Sequence, residues 1–209
     1  MAISKAKENI LKKIRQALSN TVPLPFPQSE GNQSVFFPPE EDKAVVFAEA
    51  FTNLQGKFVY CMDAAELQVI LKDFIHARGW TKVFASEKFA VDVLEACGYQ
   101  PWPTLEDAEA SITGCEYLVA RTGSMVLSAA QQHGRTASVY APVHICLAGT
   151  QQLVYDIKDA LLLLKEKYGQ QLPSSVSFAS GPSRTADIEK TLVTGVHGPR
   201  EVCCFLMEQ

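Results

Sequence analysis

Residues 57–98 read KFVYCMDAAELQVILKDFIHARGWTKVFASEKFAVDVLEACG, and this stretch decides the fold class. Lys57 to Met62 is rich in β-formers and predicts a strand. Asp63 with Glu66 three residues on is a capping-box pattern that opens a helix. Leu67, Ile70, Leu71 and Phe74 form the expected buried face of that helix, and Gly79 stops it. Thr81 to Ala85 predicts a second strand. Ser86 is the expected N-cap of a second helix, with Phe89, Val93 and Leu94 inward and Gly98 closing it. A β-α-β-α run at this spacing marks a parallel sheet covered by helices.

Toward the N-terminus, Phe47, Ala50, Phe51 and Leu54 follow helical spacing up to Gly56. Residues 21–39 hold Pro23, Pro25, Pro27, Pro38 and Pro39 and read as an extended linker. Residues 4–19 predict a helix with Ile3, Ile10, Ile14 and Ala17 on one face and Lys5, Lys12 and Lys13 elsewhere. The expected organisation is a helical arm with linker over 1–39 and an α/β domain over 40–209. A tethered helix cannot bury its apolar stripe alone, so the arm must dock on its own domain, a second copy or another protein.

Toward the C-terminus, Thr104 is expected to cap a short helix over Leu105–Ile112, followed by a buried strand at Cys115–Ala120. Arg121-Thr122-Gly123-Ser124 interrupts that strand, and Met125–Ser128 resumes it after a hairpin or sharp bend. Thr136–Tyr140 and Val143–Ala148 predict strands either side of Pro142. Leu153–Tyr168 predicts a long helix ended by Gly169, and Val176–Ala179 and Glu201–Met207 predict the last strands. The fold expected is α/β: a mixed, partly parallel sheet flanked by helices, with an N-terminal helical arm.

The net charge of -4 argues against nucleic acid or an anionic membrane as main partner, while leaving room for a small anion held by local arginines. No stretch approaches a membrane span and no signal-peptide pattern opens the chain. The six cysteines, Cys61, Cys97, Cys115, Cys146, Cys203 and Cys204, show no C-x-x-C spacing, and most lie in apolar runs. They read as reduced, buried thiols of a cytoplasmic protein. Cys203 and Cys204 are neighbours in one strand and must point to opposite faces. No metal or cofactor is expected.

Functional groups concentrate in Gly181-Pro182-Ser183-Arg184-Thr185-Ala186-Asp187-Ile188-Glu189 and Gly195-Val196-His197-Gly198-Pro199-Arg200. The first follows a strand. With Ser183 or Thr185 as N-cap of a short helix running to Leu192, it offers free N–H groups, hydroxyls and Arg184 to a carboxylate or phosphate. The architectural alternative is that the hydroxyls merely cap and Arg184 pairs with Asp187 or Glu189. His197, between glycines, is placed on a loop, where an imidazole can be acid, base or ligand. His144 reads as structural, and His76 and His133 as surface residues. At the Arg121–Ser124 bend, Gly123 permits close backbone approach beside the Thr122 and Ser124 hydroxyls.

Four motifs occur in order: Thr122-Gly123-Ser124, Ala141-Pro142-Val143-His144-Ile145, Gly181 to Glu189, and Gly195-Val196-His197-Gly198-Pro199. Together they resemble the LUD-domain family, in its lactate-utilisation protein C branch, over roughly Glu40 to the C-terminus. The resemblance implies a fold akin to the NagB/RpiA/CoA-transferase superfamily. It also implies a bacterial cytoplasmic protein acting with iron–sulfur partners in oxidation of L-lactate to pyruvate. Members commonly carry a glutamate where this chain has Arg121, and an arginine cannot serve there as nucleophile or base. Three functions therefore stand. The first is an accessory subunit binding a small anion through Arg121, Thr122, Gly123, Ser124, Gly181, Ser183, Arg184, Thr185, Asp187 and His197, self-associating or docking partners by its arm. The second is an isomerase- or transferase-like enzyme with His197 or Glu189 as acid/base. The third is an interaction module alone.

Overall fold

A computed structural model describes residues 5–19, 41–132, 134–186 and 192–208. The chain divides into two units, Met1–Pro38 and Pro39–Gln209. The first contains helix α1 (Lys5–Ser19), with Ile10 and Ile14 one turn apart on its apolar stripe. The predicted linker lies wholly outside the described residues.

The second unit runs α2 (Lys43–Asn53), β1 (Lys57–Cys61), α3 (Ala64–Ala77), β2 (Val83–Ala85), α4 (Lys88–Ala96), β3 (Ala110–Thr113), β4 (Tyr117–Val119), β5 (Ser124–Ser128), α5 (Ala137–Tyr140), β6 (Val143–Gly149), β7 (Leu153–Val154), α6 (Ile157–Tyr168), β8 (Val176–Ala179), β9 (Arg184–Ala186), β10 (Leu192–Thr194) and β11 (Glu201–Met207). Strands β1, β11, β6, β3 and β2, in that spatial order, form a wholly parallel sheet. A second sheet of order β7-β4-β5-β8 is mixed: β4 is parallel to β7, and β5 is antiparallel to both β4 and β8. The mixed, partly parallel α/β architecture is the one the whole sequence predicts, with residues 57–98 supplying its parallel part.

Side-chain alternation along β11 divides the core. Cys203 and Phe205 face α3 and α4, packing with Leu71, Ile75, Leu94, Ile112 and Ile145. Val202, Cys204 and Leu206 face the other way, toward Phe47 and Phe51 of α2 and Leu118 and Met125 of the second sheet. Each fully buried phenylalanine contributes about 2 kcal/mol by leaving water. A third cluster seals the outer face of the second sheet under α6, through Val126, Ala160 and Leu164. All six cysteines are buried. Cys115 and Cys204 are held well above the ordinary thiol range by hydrogen bonding to Cys146 and then by burial. Burial likewise pushes Cys203 up to about 12.

Several local expectations are corrected. Residues 110–113 are strand, not helix: all four are buried between β2 and β6, and that context overrides the helical spacing. Thr104 caps no helix; its hydroxyl donates to Asp107 at 2.6 Å. Ala137–Tyr140 is a helical turn rather than a strand, held because the buried Ser111 hydroxyl donates to the Ala137 carbonyl at 2.6 Å. The long helix begins only at Ile157, because Asp156 and Asp159 form a capping box after β7. Ser86 is not the N-cap of α4; Glu87 occupies that position. Phe89 is 44 % exposed rather than inward. The Asp63 cap is present, accepting the Glu66 N–H at 2.8 Å, while Glu66 accepts from Met62 at 2.6 Å.

Candidate functional site

The Thr122-Gly123-Ser124 bend and the segment that begins at Gly181 meet the C-terminal end of α2. Gly123 takes φ +56°, and a Cβ there would stand 2.5 Å from the Phe51 backbone nitrogen. A Cβ on Gly181 would stand 2.5 Å from the Leu54 carbonyl oxygen. Arg184 donates from Nη2 to that same carbonyl, placing a cation at the negative end of the helix. The close backbone approach foreseen at Gly123 is therefore an approach by the protein's own helix. Sequence spacing alone does not reveal this, since some seventy residues separate the partners.

The rest of the bend is equally engaged. Arg121 forms a two-point ion pair with Asp156, Nε to Oδ2 at 2.7 Å and Nη2 to Oδ1 at 3.2 Å. That hydrogen bonding raises the guanidinium pKa and lowers the Asp156 carboxyl. Asp156 is also the N-cap of α6, so Arg121 ties the bend to that helix. Ser124 is 2 % exposed, and its hydroxyl lies 2.8 Å from Thr122 Oγ1 and 2.6 Å from Ser180 Oγ. Thr122, Ser124 and Ser180 form one hydroxyl chain under the bend.

The helix predicted over 183–192 is corrected at both of its ends, where the described residues are strand. Arg184–Ala186 and Leu192–Thr194 are β9 and β10, an antiparallel pair in which Thr185 faces Val193 and Arg184 faces Thr194. Strand-favouring Thr185, Val193 and Thr194 explain the preference. The helix N-terminus expected to receive the anion is thus replaced by a hairpin. Asp187 and Glu189 lie outside the described residues. The strand that precedes this segment, β8, is the edge of the second sheet, so the rule placing ligands at carboxyl ends of parallel strands does not apply to it. The segment instead leads into the amino end of β11, where the Arg200 N–H donates to the Pro142 carbonyl at 2.8 Å.

At the hairpin root the Ser183 N–H donates to the Pro199 carbonyl at 2.9 Å, and the Gly195 N–H to the Ser183 carbonyl at 2.9 Å. A Cβ on Gly198 would lie 2.8 Å from that of Ser183. These contacts bring Ser183, Arg184 and His197 to one end of the hairpin. Beside it opens a groove of about 600 Å³ lined by Tyr140, Pro142, Val196, His197 and Arg200. His197 and Arg200 are exposed, and among the described residues neither forms an ion pair. An imidazole, a guanidinium and a phenol in one open groove suit a small oxyanion. Sequence reasoning missed Tyr140 and Arg200 as members. Arg200 abuts the Gly198-Pro199 pair, but Tyr140 gave no local signal. His144 lies inside β6, its Nε2 2.8 Å from the Thr113 hydroxyl, in a structural setting. Among the described residues no group of three His, Cys, Asp or Glu side chains is placed to hold a metal ion.

Comparison with known proteins places the chain. A model of the LUD domain matches residues 103–207. Lactate utilization protein C of Halalkalibacterium halodurans is 38% identical over 105 residues, 49% of this chain and 46% of that protein. The protein of the same name from Bacillus licheniformis is 31% identical over 115 residues, 54% of this chain and 48% of that one. The matched stretch thus spans about half the length of these relatives. A crystal structure of a DUF162 family protein from Deinococcus radiodurans superposes with a TM-score of 0.59 at 19% identity, over 80% of this chain and 99% of that one. That likeness supports the fold. With the domain model covering half the chain, the matched motifs carry a plain conclusion: this protein belongs to the LUD-domain family.

Proposed function

We propose that this protein is an accessory subunit in bacterial lactate utilisation, binding a small carboxylate or phosphate at the hairpin root. The similarity to lactate utilization protein C carries the pathway. The His197–Arg200 groove supports the anion. Arg184 spends one donor on the Leu54 carbonyl and retains others for a ligand. Arg121, Thr122, Gly123 and Ser124 hold the bend, so their part in binding is to fix α2 and α6 rather than to meet the anion. Gly181, Ser183 and Thr185 shape the hairpin. Partners would be iron–sulfur subunits, met through the N-terminal arm.

Calorimetric titration of lactate, pyruvate and phosphate into the full chain tests this reading. Binding of at least one anion is expected, weakened about tenfold or more by Arg184→Ala or His197→Ala, the loss of a charge-assisted hydrogen bond. Equal binding by both variants would refute the site. Lactate oxidation by the chain alone with an artificial electron acceptor would overturn the accessory role in favour of acid–base catalysis by His197.

A further inference from the structure

The carboxyl ends of the parallel strands carry a second cleft, at the other end of the sheet from the hairpin groove. It measures about 310 Å³ and opens where β2, β3, β6 and β11 finish. Ligands of open parallel sheets sit at this end. Leu147 and Met207 give it an apolar body, and Gly114, Gln131 and Glu87 give it polar groups. Among the described residues no lysine, arginine or histidine lines it.

Glu87 is its most unusual member. The residue is only 8 % exposed. It stands at the N-cap of α4 yet makes no capping bond to its own helix. Its Oε2 instead reaches across to accept the Gly114 N–H at 2.5 Å. Among the described residues that is the one hydrogen bond of its side chain, and no cation pairs with it. The neighbouring Ser86 hydroxyl is buried without a partner among those residues. A buried carboxylate lacking counter-charge and most of its donors is costly. A ligand that brings donors into the cleft would complete such a group. The cleft walls are fixed: Gln152 accepts the Gly149 N–H at 2.8 Å and donates to the Cys115 carbonyl at 2.6 Å. Gln131 accepts the Ser128 N–H at 3.0 Å through Oε1, which orients its amide.

We propose that this cleft is a second binding site, for a small neutral or cationic organic molecule that gives hydroxyl or amine donors to Glu87. The Glu87 carboxyl, with no cation among the described residues of the lining, disfavours the anion assigned to the hairpin groove, so the two sites take different chemistry.

The test uses the full chain, with adenosine as a vicinal-diol probe, ethanolamine as an ammonium probe, and lactate as anionic comparison. At least one donor probe at millimolar concentration is expected to raise Tm by about 2 °C or more. In Glu87→Gln that shift disappears. The same variant keeps an acceptor for Gly114 while removing the unpaired charge, so without any probe its Tm is expected to rise. No shift with either probe, a shift that survives in Glu87→Gln, or a lower Tm for that variant would each overturn the proposal. Lactate titration of Glu87→Gln separates this site from the hairpin groove, since binding there is expected to be unchanged.

Discussion

At Gly123 two constraints coincide: a left-handed φ of +56° and the Phe51 backbone nitrogen 2.5 Å from where a Cβ would sit. Backbone cannot swing aside as a side chain can. Gly123→Ala is therefore expected to cost about 3 kcal/mol of unfolding free energy, conformational strain and displacement of α2 together. Gly134 has φ +64° with nothing within 4 Å, and Gly134→Ala should cost only about 1 kcal/mol. Urea denaturation of the two variants makes the comparison, and equal losses would show that α2 yields without penalty. The need for a glycine was legible in the Thr122-Gly123-Ser124 motif. What approaches it was not, because the contacting helix lies far away in the chain. The same limit applied to Arg121: its charge was plain, but its partner Asp156 was hidden inside a run read as helix.

Between elements, a buried polar tie holds α6 to the β4–β5 hairpin. The Glu116 side chain is 1% exposed and accepts from Lys167 at 2.7 Å, Ser128 at 2.5 Å and Tyr168 at 2.6 Å. Burial pushes its carboxyl up, but these three donors outweigh burial and hold it below the ordinary 4.5. A carboxyl lowered on folding stabilises above its unfolded value, and that contribution is lost as pH falls through the folded one. Glu116→Gln is expected to cost about 2 kcal/mol at neutral pH, moderated because Lys167 stays half in water. The cost should shrink as pH drops below 4.5. Chemical denaturation of both proteins across that range checks it, and a pH-independent difference would show that the carboxylate charge contributes nothing. Elements with strong local punctuation were legible: Asp63 before α3, and Gly79 and Gly98 at the ends of their units. Residues 110–113 and 137–140 were misread because burial and a single hydroxyl contact, not periodicity, set their conformation. The 184–194 hairpin was misread because capping residues also suit strand ends.

For the molecule as a whole, order along the chain and order in space disagree. The position between β1 and β6 is filled by β11, the last of these strands in sequence. Its partners on either side precede it by more than fifty residues. Glu201 at its start draws in Arg78 at 2.6 Å and Lys57 at 2.9 Å. Removal of residues 201–209 is expected to abolish cooperative unfolding, since β1 and β6 lose their shared neighbour and both core clusters lose Phe205 or Leu206. A sharp thermal transition in the shortened chain would contradict this. The same placement bears on biosynthesis. While the chain emerges from the ribosome, β1 has nothing to pair with, and its edge stays open until nearly the whole domain has been made. Folding of this domain therefore waits until β11 has been synthesised, and a product terminated before β11 presents an unpaired strand edge to the chaperones and proteases that clear such fragments.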